Sequence, residues 1–348
     1  MNRYFFSSFN LLAVIAFFVV SITEAFSQDE IRYTADILNI PAGADVCGLG
    51  DAGVVLPRRA VASWWNPAAA SFSNHFEITA EIADLYHGLS QTGCFAARIP
   101  VQNEIGVSVV YVPFFSGDIP LFDKIPGLPN DKESWSDGIP RGYFKNNQNV
   151  ISLAMSKIWH LKLPRLPGSG YPLPLDILAG GGVKGFWQMM NPRGINYYGA
   201  AVNVDAGVIA SIGLDYDLES KQTSRKIMIA AAIKDFLPNR VIWINSPENY
   251  VEKMKLTHSY GIAYEDRSGQ LGGNWTVALS LKKQYEISYH AGIEAEFWNT
   301  VTFRAGISDR TPTLGAGIHY KKYFIDYAFR FDKIDFSYMR LTLGFVNN

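Results

Sequence analysis

From about His75 to its C-terminus the chain alternates apolar residues with small or polar ones at a period of two. Between Ser288 and Phe297 one face carries Tyr289, Ala291, Ile293, Ala295 and Phe297, and the other His290, Gly292, Glu294 and Glu296. Val301, Phe303, Ala305 and Ile307 oppose Thr302, Arg304, Gly306 and Ser308 in the same way, and Met339, Leu341, Leu343 and Phe345 oppose Arg340, Thr342 and Gly344. Only an extended strand sends successive side chains to opposite faces. This pattern predicts fourteen strands, near 75–85, 91–99, 104–114, 148–159, 174–188, 200–214, 226–236, 255–265, 273–282, 286–297, 300–308, 312–321, 323–331 and 336–345.

A soluble sandwich also alternates, so number, length and polarity must decide. The strand number is even, and most strands lie near the ~9–11 residues that a tilted membrane strand requires. A sandwich would turn Lys, Glu and Thr to water. Here the smaller face is mostly Gly, Ala and Ser with isolated charges, as a lumen would be. Charged residues make up 18% of the chain, against about 25% in ordinary soluble domains, while aromatics reach 14%. The fold expected is therefore an all-β transmembrane antiparallel barrel of about fourteen strands in the bacterial outer membrane, with lipid around it. A net charge of −1 gives no reason to invoke nucleic acid.

The connections near 115–147, 189–199 and 237–254 are long, whereas those near 298–299 and 322 are tight. Bacterial barrels keep short periplasmic turns and long outer loops, and periplasmic termini turn these long connections outward. The connection at 161–174 is an exception, being long on the periplasmic side, and it leaves that register open. Arg3, the apolar run Leu11–Val20 and the small residues Ala25 and Ser27 predict a secretory signal peptide over 1–27. That run is short of the ~20 residues of a spanning helix.

Residues 28–74 do not alternate. They contain Gly43-Ala44, then Gly48-Leu49-Gly50-Asp51-Ala52-Gly53, then Trp65-Asn66-Pro67-Ala68. The glycine spacing is superficially that of a phosphate loop, but no Val/Ile strand precedes it and no βαβ unit follows. These residues resemble the N-terminal signature of the PorV/PorQ-like branch of the FadL superfamily of outer-membrane barrels. His290–Glu294, Arg304-Ala305-Gly306 and Asp326–Phe329 resemble that family's closing hairpins. Two departures stand out: Leu49-Gly50-Asp51-Ala52 replaces the usual Met-Gly-Gly-Ala, and the chain continues past its last aromatic, Phe345.

The resemblance implies that residues 28–74 form a hatch inside a barrel of residues 75–348, with Gly43, Ala44, Gly48, Gly50, Gly53, Asn66, Pro67 and Ala68 as its motif. A lumen of this size is too wide for its own side chains to fill. It implies two alternative functions. One is passage of hydrophobic small molecules, with the aromatic loops Val112–Phe115 and Ile119–Phe122 as capture surfaces and a lateral opening between wall and hatch. The other is a secretion role, in which the barrel receives exported proteins from secretion-machinery subunits.

Charges on the lipid face cost ~2–4 kcal/mol for Arg or Lys at mid-depth, so the charged wall residues are expected to point inward. Glu294, Arg304, Asp326, Arg330 and Arg340 lie on neighbouring closing strands and are expected to form one polar network, with Lys184, Asp205 and Glu296 as further inward charges. Glu294 and Glu296 have no Ser, His or Cys partner in a catalytic motif, and the six histidines are scattered, so no enzyme, metal or cofactor is expected. Facing alone predicts that Ala291→Arg and Phe303→Arg block assembly while Gly292→Ser and Thr302→Ser are tolerated. Cys47 and Cys94 are the only cysteines, and both a disulfide and two buried free thiols remain open.

Overall fold

Strand pairing passes from neighbour to neighbour around a closed ring. The computed structural model describes residues 35–85, 88–123, 136–164, 172–215, 223–237, 240–246, 250–331 and 338–347, and the expected signal peptide lies outside them. The strands are β1 (Phe76–Leu85), β2 (Ser90–Val101), β3 (Ile105–Leu121), β4 (Gly142–Lys162), β5 (Pro174–Met190), β6 (Tyr197–Gly213), β7 (Arg225–Lys234), β8 (Arg240–Ile244), β9 (Val251–Lys253), β10 (Thr257–Asp266), β11 (Asn274–Lys283), β12 (Ile287–Phe297), β13 (Val301–Ser308), β14 (Thr311–Tyr320), β15 (Tyr323–Arg330) and β16 (Tyr338–Asn347). All but β8 and β9 belong to a fourteen-strand antiparallel barrel, which β1 and β16 close through the register Phe76↔Asn347 to Asp84↔Met339.

The side-chain period explains the wall. In β1, Glu77, Thr79, Glu81 and Ala83 are buried while Ile78 and Ile82 are exposed, Ile82 at 69%. The exposed large residues of the other strands, such as Phe95, Leu153, Val183, Phe303, Ile318 and Tyr323, fall on the same outer surface. An apolar belt of this extent is stable only against hydrocarbon.

The wall is uneven in height. Strands β3 to β6 run for 17 to 21 residues, and the other ten barrel strands for 8 to 12. This corrects the expected aromatic loops. Val112–Phe115 and Ile119–Leu121 are part of β3, which pairs with Gly142–Val150 of β4 across a bulge between Ser116 and Ile119. Phe114 is buried and Phe115 exposed, so β3 runs on past the expected end at 114 to Leu121 where a loop was expected. The 237–254 connection also contains structure: β8 pairs with Tyr198–Ala200 of β6 and then with β9. At the doubtful connection, β4 and β5 stay in one register down to Lys162↔Pro174, and Leu163 N–H donates to Leu173 O at 2.8 Å.

Inside the ring, residues 35–71 form short turns and two brief helices, α1 (Ala44–Gly48) and α2 (Ala62–Trp65). Almost every residue from Ala42 to Ser71 is buried. The segment is held close to the wall by inward glycines. A Cβ at Gly106 would fall on Ala70, one at Gly207 on Asn66, one at Gly261 on Val54 and one at Gly292 on Leu49. These strands lie on different sides of the barrel, so the segment touches the wall around much of its circumference.

Candidate functional site

The lumenal segment is fastened by its backbone first. Gly43, at φ 92°, turns its N–H to Glu81 Oε2 at 2.9 Å, and Ala44 N–H reaches Thr342 Oγ1 at 3.0 Å. Thr313 Oγ1 accepts from Gly50 N–H at 3.0 Å and donates to Gly48 O at 3.1 Å. Gly53 packs beneath the Trp65 ring, where any side chain would collide.

Asn66 is the most completely used residue of the motif. Its Nδ2 donates to Val54 O at 3.0 Å and lies 3.3 Å from Val208 O and 3.4 Å from Ala231 O, on adjacent strands β6 and β7. Its Oδ1 accepts from Ala68 N–H at 3.0 Å, and Pro67 starts the 3₁₀ turn that follows. Asparagine alone offers two donors and an acceptor on so short a stem.

The expected polar network divides into three. Arg304 Nε donates to Glu294 Oε2 at 2.7 Å, and its Nη1 to Asp326 Oδ1 at 2.6 Å. Arg304 reaches β15 across β14 because Gly317 leaves the space between them open. Arg340 is separate: its Nη1 donates to Glu81 Oε1 at 2.7 Å, since closure of the barrel makes β1 the neighbour of β16. Arg330 is separate too and reaches Asp51 Oδ2 of the lumenal segment at 3.1 Å. Glu296 joins none of these and faces Asn274 Nδ2 at 3.5 Å. Lys184 Nζ pairs with Asp205 at 3.0 Å and Asp235 at 2.6 Å.

Sequence reasoning missed the lumenal partners. Arg58 pairs with Glu294 and with Glu265, the latter at 3.1 Å, and donates to Thr276 Oγ1 at 2.5 Å. Arg59 lies 3.5 Å from Asp326 and 3.6 Å above the Phe324 ring. An Arg-Arg pair within an otherwise nearly uncharged stretch was the available signal. Asp45 is buried in α1 with Oδ1 unpartnered among the described residues. Burial, and then the nearby charge of Asp326, push its carboxyl up to about 6.

Cys47 and Cys94 are both buried free thiols, so the disulfide alternative is not realised. Cys94 stands opposite Glu81 in β1, and Cys47 lines a crevice with Arg340. The Glu81–Arg340 ion pair thus adjoins both thiols. The facing-based tolerance of Gly292→Ser is also corrected, because a Cβ there would meet the Leu49 backbone. Alternation identifies the inward face but not what lies against it.

Two larger spaces adjoin these groups among the described residues. One is a hollow of about 460 Å³ on the outer wall, where β15, β16, β1, β2 and β3 meet, and its lining includes Ile82, Gly93, Phe95, Pro113, Phe115 and Met339. The β2–β3 pairing is interrupted there, with Thr92↔Phe114 and Phe95↔Tyr111 paired but not the residues between. Pro113 has no N–H to give, and Gly93 has no side chain to cover the gap. The other is a cavity of about 220 Å³ between the lumenal segment and the wall of β7 to β15.

No family model matches the chain, and no curated protein matches it significantly. Among solved structures it is similar to the toluene transporter TbuX of Ralstonia pickettii, with 11% identity over 87% of this chain and 97% of that one and a TM-score of 0.43. The monoaromatic hydrocarbon channel CymD is similar at 10% identity over 88% and 96%, with a TM-score of 0.46. The toluene transporter TodX of Pseudomonas putida is similar at 12% over 88% and 97%, with a TM-score of 0.44.

Proposed function

We propose that this barrel passes hydrophobic small molecules across the outer membrane, with residues 28–74 as a hatch and the hollow at Gly93 and Pro113 as a sideways route to the bilayer. The observation that carries this reading is the coincidence of a crowded axis with a thinned wall. Along the axis, the lumenal segment approaches the wall so closely that inward glycines are required. At Gly93 the wall has lost both strand pairing and side-chain cover, and the hollow there is mostly apolar. An apolar solute gains by leaving water for hydrocarbon, by about 25 cal/mol per Å² of apolar surface removed from water. A lateral exit lets it make that transfer without crossing an aqueous space. Phe95, Phe115 and Tyr327 line the hollow with aromatic surface, and from Phe95 a row of stacked rings continues through Tyr111 to Trp187, with centroids 6.4 and 6.3 Å apart.

Uptake of radiolabelled toluene by cells with the wild-type gene, a deletion, or Ile82→Trp tests the route. Ile82 lines the hollow and is exposed, so the larger ring should fill it and lower uptake at least tenfold while heat-modifiable gel migration still reports a folded barrel. Unchanged uptake in the folded Ile82→Trp protein would refute the lateral route. A deletion that loses many surface proteins without an uptake defect would overturn the passage reading in favour of secretion.

A further inference from the structure

Ser288 and His290 are two residues apart on β12, so both turn inward, and both line the 220 Å³ cavity beside the lumenal segment. Ser288 Oγ lies 3.1 Å from His290 Nε2. The other ring nitrogen decides which of the two donates. His290 Nδ1 is 3.0 Å from Gly50 O, and a carbonyl can only accept, so Nδ1 carries the proton. In the neutral ring Nε2 then holds a lone pair, and Ser288 donates its hydroxyl proton to it. The next acceptor for that hydroxyl, Lys282 O, is 3.4 Å away.

The ring is steadied by the lumenal segment and by β13. Ser308 Oγ donates to Asp51 Oδ2 at 2.6 Å and lies 3.2 Å from His290 Nδ1, so its oxygen is a second acceptor for the Nδ1 proton. The negative charge of Asp51 thus reaches the imidazole through one hydroxyl, and it stabilises the ring when Nε2 takes up a proton. Lys282 is the cross-strand partner of Ser288 and lines the same cavity, with its Nζ donating to Asn39 Oδ1 at 2.8 Å. Residues opposed in this way keep their Cβ atoms ~4.5–5.5 Å apart. An ammonium therefore stands close to any carbonyl group resting at Ser288.

A hydroxyl, a base that accepts its proton, an acceptor that orients the base and an adjacent positive charge are the parts of nucleophilic acyl transfer. Leu38, Ile40 and Trp65 add apolar surface to the same cavity. The space lies below the ~300–1,000 Å³ common for ligand sites, so the acyl group it takes must be short.

We propose that this cavity hydrolyses short-chain carboxylic esters, with Ser288 as nucleophile and His290 as general base. Ser288 Oγ bonds to the ester carbonyl carbon while its proton passes to His290 Nε2, and the Lys282 charge favours the oxyanion that forms. Collapse breaks the bond from that carbon to the alcohol oxygen, and the alcohol leaves with the proton from Nε2. Water then adds to the acyl-serine and gives a proton to Nε2. The Ser288 oxygen departs, takes that proton back, and a carboxylic acid is released. This activity is separate from passage and does not rest on it.

The detergent-purified full-length barrel, treated with p-nitrophenyl acetate and separately with diisopropyl fluorophosphate, tests the assignment. Wild-type protein should release p-nitrophenol at least tenfold faster than Ser288→Ala. Diisopropyl fluorophosphate should lose fluoride to Ser288 Oγ, and peptide mass spectrometry should find the diisopropylphosphoryl group on that residue. His290→Gln should slow both reactions at least tenfold, because an amide cannot take up the proton. Equal ester cleavage by wild type and Ser288→Ala would overturn the proposal. So would the absence of label from Ser288 in the folded wild-type barrel, a result that depends on no variant.

Discussion

The Asn66 side chain occupies the space that a side chain at Gly207 would need, and the two residues lie 141 positions apart in the chain. Asn66→Ala leaves Val54 O and the Ala68 amide of the 3₁₀ turn without their 3.0 Å partner, besides the longer contacts to the wall strands. Each buried group left unsatisfied costs ~1–3 kcal/mol, so for these two the loss should be about 2–6 kcal/mol. Gly207→Ala should act at the same contact by steric means. Denaturant unfolding followed on heat-modifiable gels should show both variants weakened, and the double variant should be less than additive. Full additivity would mean the two residues do not act at one contact.

Position 292 distinguishes facing from contact. Ala291→Ser lies on the outer surface and should assemble normally, whereas Gly292→Ser must displace the Leu49 backbone and should yield little folded barrel. Phe303→Arg puts a charge on the lipid face and should cost ~2–4 kcal/mol if it sits at mid-depth. The fraction of heat-modifiable protein in the membrane reports all three. Normal assembly of Gly292→Ser would contradict the close approach.

Arg304 bridges Glu294 and Asp326 deep in the wall. Removing one partner of a buried pair typically costs ~3–5 kcal/mol, because the other charge is left uncompensated. Arg304→Met should show a loss of that order. Its cost in an Asp326→Asn background should be smaller by about 0.5–3 kcal/mol, as read from a denaturant double-mutant cycle. A coupling near zero would mean that the pair is held by geometry alone.

Asp45 should make the folded state pH-sensitive. Its carboxyl is raised from 3.8 to about 6 on folding, so its contribution is present below pH ~4 and is lost as pH rises through about 6. At 1.36 kcal/mol per unit, Asp45→Asn should gain up to about 3 kcal/mol over the wild type at pH 8 and nothing at pH 4. Unfolding midpoints at the two pH values check this. An equal difference at both would assign the effect to packing rather than ionisation.

Both thiols should be present and protected in the native protein, since Cys47 and Cys94 are buried and free. Alkylation of unreduced protein after denaturation should add two labels by mass spectrometry, and brief treatment before denaturation should add almost none. Absence of labels without reductant would establish a bridge instead.

Much of the wall was legible in the sequence because the strand period is a local property. Each residue's face follows from its neighbours two positions away, which is why Glu294, Arg304 and Asp326 could be assigned inward and Phe303 outward. The fourteen barrel strands followed from the same pattern; what did not was the extension of β3 over 115–121 and the short pair at 240–253, where prolines and turn residues looked like loop. What only the tertiary structure decided is which inward residues meet. Arg340 pairs with Glu81 because β16 closes on β1, and Arg58 with Glu265 and Glu294 because the lumenal segment crosses the barrel. Gly93 and Pro113 thin the wall only because antiparallel pairing brings them side by side. These are contacts between residues distant in the chain, and a period of two carries no information about what a face will touch.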